Sequence, residues 1–173
     1  MLCDPNSMTK PTRVERKILA NQFTILEKLD PSRAAEYAEA REVFEDGFEG
    51  EYEQQLQDVY DGLDTMSPDD CKYVGDVLQM YDMMQGAFKN GQTAGVDPAR
   101  LRFPGFDGNN ETKFVAYARH MRKYGKWTFL DLAAEDFNSH SQTEGRYKRM
   151  LGEWNASKEK YKLTAADIVR ILG

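Results

Sequence analysis

The chain has 173 residues, of which 40% are hydrophobic and 30% are charged, and its formal net charge is -6. The length suits one globular domain, and the composition is that of an ordinary folded protein, which excludes general disorder. The acidic balance disfavours a protein that coats DNA or RNA, because such binding depends on Lys and Arg neutralising phosphates. No apolar run approaches the ~20 residues that a membrane-crossing helix needs.

The chain begins with a polar segment that has no helical period. We expect residues 1–11 to form a flexible N-terminal tail, and residues 12–173 to form a single helical domain. Thr12 and Glu15 have the spacing of a capping box, in which each side chain bonds to the backbone N–H of the other residue. They predict a first helix over residues 13–29.

The second helix is predicted to start at Asp30-Pro31, because Asp is a good N-cap and Pro fits the first helical position. It is expected to end near Asp46, where Gly47 can take the left-handed conformation. A short third helix is predicted over residues 51–60.

Ser67-Pro68 repeats the start signal and predicts a long fourth helix that reaches Asn90. At 100° per residue its apolar side chains fall in one broad arc. The arc contains Val74, Val77, Leu78, Met80, Tyr81, Met84 and Phe88. We therefore expect this helix to lie in the core.

Two irregular segments follow, over residues 91–107 and 126–140, and a helix is predicted between them. Asp107 is its expected N-cap, and the helix is expected to reach Tyr124. Ser141 with Glu144 predicts a sixth helix by another capping box.

Thr164 with Asp167 predicts a last short helix by the same kind of capping box. Strand-like alternation is absent from the sequence. We therefore predict an all-α protein with about seven helices in one compact multihelical domain.

Gln22 is predicted to be a buried amide in the first helix. It points into the middle of an arc formed by Val14, Ile18, Leu19, Ile25, Leu26 and Leu29. Because burying an unpaired amide costs roughly 1–3 kcal/mol, we expect Gln22 to bond to a helix end or a loop carbonyl. Contact with a ligand is the alternative.

We predict no catalytic, metal-binding or cofactor-binding residues. A metal site needs clustered His, Cys or carboxylates, whereas His120 and His140 lie on different predicted segments. We expect His120 to be partly buried and structural, and His140 to be exposed. Cys71 follows two aspartates, which disfavours a thiolate nucleophile, and no nucleotide-binding motif occurs.

The two irregular segments carry many aromatic side chains for sequence that is read as loop. Loops normally run over the surface, so these side chains either fold inward as lids or contact a second copy of the chain. The candidate functional or interface residues, together with Gln22, are Phe103, Phe106, Asp107, Trp127, Phe129, Phe137 and Asn138.

The chain resembles the YfbU family of bacterial helical proteins of unknown function, over nearly everything from Arg13 to Leu172. The resemblance rests on Ala20-Asn21-Gln22-Phe23, Leu29-Asp30-Pro31, Cys71, Met80-Tyr81, Phe103, Gly105-Phe106-Asp107, Glu111, Tyr117, Arg119, Met121, Phe137-Asn138, Tyr147, Arg149-Met150-Leu151 and Trp154. It implies a multihelical, oligomer-forming domain and supplies no catalytic or ligand residues. Some relatives look as if they carry an added N-terminal ribbon-helix-helix segment, for which this chain has only its short tail.

Three functions are compatible with this sequence. The first is a non-catalytic, homo-oligomeric interaction or regulatory module in the cytoplasm, most simply a symmetric dimer. The second is a hydrolase-like enzyme that uses carboxylates in a pocket near residues 103–111 and 137–138. The third is an accessory protein of a transcriptional or toxin–antitoxin system. We expect the partner to be a second copy or another cytosolic protein, without membrane or direct nucleic-acid binding.

Overall fold

The computed structural model describes residues 10–59, 65–134 and 136–173. The chain divides between residues 61 and 62 into two compact units, which are described separately. Most of the predicted tail, residues 1–11, lies outside the described residues, and the prediction of a single domain over residues 12–173 stays a prediction.

Seven α-helices make up most of the described residues. They are α1 (Arg13–Leu29), α2 (Ala34–Asp46), α3 (Tyr52–Leu56), α4 (Pro68–Lys89), α5 (Thr112–Lys123), α6 (Glu144–Ala156) and α7 (Ala165–Leu172). The described residues contain two isolated β-bridges and no strand. The predicted all-α class is therefore confirmed.

Three of the predicted helix starts are confirmed by their capping boxes. The side-chain oxygens of Thr12, Ser67 and Thr164 each accept a bond from the backbone N–H three residues later, whose acidic side chain returns a bond to the cap. Gly47 ends α2 in the left-handed conformation, with φ 78°. These local signals set helix ends because they satisfy backbone groups that the helix itself leaves unpaired.

The predicted start of α5 at Asp107 is wrong, because Asp107 closes a turn instead. The backbone N–H of Glu111 donates to the carbonyl oxygen of Asp107 at 2.7 Å, and that of Asn109 donates to its carboxylate at 3.0 Å. The helix begins only at Thr112.

The first unit is a small helical layer in which α1 packs on α2. Its core consists of Ala20, Val43, Phe44 and Tyr52. The ring of Phe44 stacks on the ring of Tyr52 at a centroid distance of 5.2 Å. Ala20 is 1% exposed and lies on the side of α1 that packs against α2.

The second unit is built around α4, which contacts α5, α6 and α7. Six of the seven side chains in its predicted arc are buried, and Phe88 is half-buried. Trp154 of α6 is 2% exposed and donates its indole N–H to the carbonyl oxygen of Lys160 at 2.8 Å. The prediction that α4 is a core helix is confirmed.

Candidate functional site

The two irregular segments fold inward onto α4. Phe103 and Phe106 are fully buried, and Phe137 is 4% exposed. The ring of Phe103 meets Tyr81 of α4 at a centroid distance of 5.1 Å, and Phe106 meets Tyr147 of α6 at 5.5 Å. For these phenylalanines the structure therefore favours the inward-folding alternative.

Backbone bonds join the two segments edge to edge. The N–H of Phe106 donates to the carbonyl of Phe137 at 3.0 Å, and the carbonyl of Phe106 accepts from Ser139 at 2.9 Å. A second pair of bonds links Phe103 to residues 131 and 133. These bonds satisfy the polar backbone that buried loops would otherwise leave unpaired.

The segments approach so closely that Gly105 has no room for a side chain. A Cβ there would lie 2.2 Å from the carbonyl oxygen of Phe137, and its φ of 95° is one that other residues rarely adopt. The side chain of Asn138 also lies close to Gly108, and its oxygen accepts the backbone N–H of Gly108 at 2.9 Å and that of His140 at 3.0 Å. Asn138 therefore connects the segments rather than facing an open pocket.

A buried amide is present, but it belongs to Gln85 of α4. Its NH₂ group donates to the carbonyl oxygens of Leu101 and Asp131, each at 2.9 Å, and its oxygen accepts from the N–H of Asp131 at 2.8 Å. One side chain on the central helix thus holds both irregular segments.

Glu111 is a buried carboxylate, 7% exposed, that caps α6 from a distance. One oxygen accepts the backbone N–H groups of Thr143 and Glu144, each at 2.8 Å. The other accepts the hydroxyl of Thr143 at 2.6 Å and the N–H of Asp107 at 2.8 Å. The predicted capping box of Ser141 with Glu144 is wrong, because this remote carboxylate supplies the cap.

The carboxylate of Asp107 is also held by internal donors. It accepts from the amide of Asn110 at 2.6 Å and the N–H of Asn109 at 3.0 Å. These bonds hold the pKa of Asp107 below its usual range. Burial raises the pKa of Glu111, but its four donors act in the opposite direction and leave that pKa lowered as well. Both carboxylates therefore stay ionised near neutral pH. In that state they accept hydrogen bonds that hold the backbone in place, and they carry no proton to donate.

Tyr147 completes the connection between α6 and the first segment. Burial raises the pKa of its phenol well above the usual value, so the hydroxyl keeps its proton. It donates that proton to the carbonyl oxygen of Gly105 at 2.6 Å. The polar side-chain atoms of Gln85, Asp107, Glu111 and Tyr147 are thus hydrogen-bonded to other groups of the protein.

The aromatic residues at the start of the second irregular segment lie further out. Trp127 is half-buried against the core of its unit, with a left-handed φ of 57° and a buried indole nitrogen without a hydrogen-bond partner among the described residues. Phe129 is 88% exposed. Of the loop aromatics predicted as candidates, Phe129 is the one left on the surface.

The prediction that Gln22 is buried is wrong, because its face of α1 lies outward. On that face Val14 is 69% exposed and Leu29 is 75% exposed. We call the line formed by Val14, Ile18, Gln22, Ile25 and Leu29 the outer stripe; all five residues are exposed. The helix buries its opposite side instead.

Cys71 and the two histidines lie in different parts of the fold, on α4, on α5 and in the second irregular segment. His120 is exposed, with its ring stacked on Tyr117 and tilted against Tyr124, so the prediction that it is partly buried is wrong. His140 is exposed as predicted, and Cys71 is half-buried. Among the residues that the structure describes, no three His, Cys, Asp or Glu side chains form a group that could hold a metal ion.

A surface depression of about 450 Å³ lies beside the paired segments and is lined by Arg102, Arg122, Asp131 and Phe137, among others. Its exposed carboxylate, that of Asp131, lies 3.4 Å from the guanidinium of Arg102. No helix in the described ranges is long and apolar enough to span a bilayer.

Gln85 and Glu111 are the structurally decisive polar residues that sequence reasoning missed. Gln85 could have been found, because it follows Tyr81 by four positions on a helix whose apolar arc was already recognised. Glu111 carried no such signal, because its partners at residues 143 and 144 are more than thirty positions away.

Together these features define a helical protein whose two irregular segments are held inside by buried polar side chains, and whose helix α1 exposes an apolar stripe. The YfbU domain matches residues 8–173 of the chain. The protein belongs to the YfbU family, as the residues from Arg13 to Leu172 predicted.

Proposed function

We propose that the protein is a non-catalytic interaction or regulatory module that works as a homo-oligomer in the bacterial cytoplasm. The observation that carries this proposal is the outer stripe of α1, which leaves four aliphatic side chains uncovered along one helix face. Aliphatic side chains aligned along one helix face are the pattern by which an amphipathic helix binds an apolar surface of another polypeptide.

The internally bonded carboxylates of Asp107 and Glu111 support a role without chemistry. Glu111 and Asp107 have lowered pKa values, whereas a catalytic acid near neutral pH needs a raised one. Their oxygens also already accept internal bonds. The hydrolase alternative, which relied on a pocket near residues 103–111 and 137–138, gains no support from this geometry.

The charge of the chain is compatible with controlled association. With a net charge of -6, surfaces outside the contact repel one another, which keeps an assembly soluble and limits its growth. An accessory role in a transcriptional or toxin–antitoxin system would use the same exposed apolar surfaces to hold another cytosolic protein.

Light scattering after size exclusion tests the homo-oligomer. We expect a mass above the 19.9 kDa of one chain that falls towards this value on dilution through the micromolar range. The association should persist at high salt, because apolar contacts are not screened by ions. A mass of one chain at every concentration would contradict the proposal.

A further inference from the structure

Helix α1 is apolar on two sides. Its inner side packs against α2 through Ala20, which is 1% exposed, and Phe23. At 100° per residue the four aliphatic members of the outer stripe fall within about 60° of arc, roughly opposite Ala20. The outer stripe is therefore a second apolar surface of α1, and the rest of the described chain leaves it exposed.

The four aliphatic residues of the outer stripe are spaced symmetrically, and the remaining exposed aliphatic residue of α1, Leu26 (38% exposed), lies outside the stripe. Positions 14 and 29 have their midpoint at 21.5, and positions 18 and 25 have the same midpoint. If a second α1 lay antiparallel across the stripe, Val14 would meet the partner's Leu29, and Ile18 would meet the partner's Ile25. Every aliphatic side chain of the stripe would then have an aliphatic partner.

Gln22 lies half a residue from that midpoint, so it would face the partner's Gln22. A carboxamide both donates and accepts hydrogen bonds, and two copies can therefore bond to each other. A single polar residue in an apolar helix seam fixes register and orientation at a cost in stability. This gives an exposed glutamine among aliphatic neighbours a physical role.

We propose that α1 pairs antiparallel with α1 of a second copy, about a two-fold axis that passes beside Gln22. The inference rests on the proposed homo-oligomer and adds its surface and geometry. A two-fold contact uses the same patch on both copies and must be self-complementary, which the symmetric spacing of the stripe satisfies. A different partner protein would not require that symmetry.

The size of the contact sets its expected strength. A helix of 17 residues is roughly 25 Å long and 10 Å wide, so one face covers on the order of 250 Å². Stable complexes bury about 800 Å² per partner. The α1 pair alone is therefore a weak contact, and its dimer depends on concentration.

Disulfide cross-linking tests the geometry in the full-length chain. The background carries Cys3→Ser and Cys71→Ala, which remove the native thiols. Ile18→Cys and Ile25→Cys are made separately and oxidised alone and as an equal mixture. In an antiparallel pair, position 18 lies beside position 25 of the partner, so the mixture forms a covalent dimer.

The single variants are the matched controls. In the antiparallel pair two copies of Ile18→Cys place their thiols seven residues apart along the axes, about 10 Å, which is beyond the reach of a disulfide. We expect the covalent dimer of the mixture to exceed that of either variant alone at least tenfold. Self-linked Ile18→Cys would show a parallel pair and overturn the inference.

The remaining outcomes separate this inference from the proposed function. Absence of the mixed dimer in a protein that light scattering shows to be oligomeric would mean that another surface forms the contact, and only the α1 geometry would fail. A chain that is monomeric at all concentrations and forms no mixed dimer would refute both proposals, whether another segment or a different protein covers the stripe.

Discussion

Replacing Glu111 with Gln should destabilise residues 65–173 by about 2–4 kcal/mol. The carboxylate accepts four hydrogen bonds while 7% exposed. Gln keeps one accepting oxygen but turns an NH₂ group towards the N–H of Asp107, so that donor is left unpaired. Hydrogen bonds to charged groups contribute roughly 1.5–3 kcal/mol each, and losing one while weakening the others gives the stated range.

Urea unfolding followed by tryptophan fluorescence measures this effect. Both tryptophans, Trp127 and Trp154, lie in the second unit, so their emission reports the unit that Glu111 holds. Glu159→Gln is the matched control, because it removes the same charge from an exposed side chain and should stay within about 0.5 kcal/mol of wild type. A similarly small effect of Glu111→Gln would refute the capping account.

The pH dependence gives an independent check on Glu111. Because its pKa is lower in the folded protein, its bonds add stability above the unfolded pKa of about 4.3. This contribution is lost as the pH falls through the folded pKa. The difference in unfolding free energy between wild type and Glu111→Gln should therefore shrink below about pH 4, and a difference that grows with acid would contradict the assignment.

Three further changes test other parts of the structure. Gln85→Leu leaves the carbonyl oxygen of Leu101 and the backbone N–H of Asp131 unpaired and should cost roughly 1–3 kcal/mol in the same unfolding assay; an unchanged midpoint would count against the buried amide. Gly105→Ala forces a Cβ against the carbonyl of Phe137 and should lower the melting temperature, whereas Gly152→Ala on an open helix face should raise it slightly. Gln22→Leu should leave unfolding within about 0.5 kcal/mol of wild type, because the side chain is exposed, and should lower the dimer dissociation constant measured by sedimentation; weaker association would contradict the pairing.

Local signals in the sequence predicted the helices well. Capping at Thr12, Ser67 and Thr164 uses a partner three residues away. The few residues around each cap therefore contain both groups that set the helix start. The starts near Asp107 and Ser141 were mispredicted because the true arrangement depends on Glu111, whose contacts form only when distant segments meet. Caps supplied by tertiary contacts leave no short sequence pattern.

The two glutamines show a second limit of sequence reasoning. A helical wheel identifies the apolar side of a helix, but it does not tell which side the rest of the fold covers. On α1 the structure covers the side of Ala20, which leaves Gln22 exposed. On α4 the covered side includes Gln85.

The candidate residues of the irregular segments illustrate the same limit. Phe103, Phe106, Phe137 and Asn138 do lie together, as the sequence suggested for residues 103–111 and 137–138. Their contacts make them part of the interior. Whether aromatic loop residues fold inward or meet a partner is decided by backbone pairing between segments, which no single segment reveals.

Sedimentation equilibrium of the wild-type chain beside Ile18→Asp tests the central claim most directly. The wild-type mass should rise from 19.9 kDa towards twice this value with concentration, because the outer stripes of the two copies cover each other in the dimer. Ile18→Asp puts a charge in the seam and should stay at one chain throughout, while Phe129→Asp, which changes another exposed apolar residue, should follow the wild-type curve. Superimposable curves for wild type and Ile18→Asp would contradict the account.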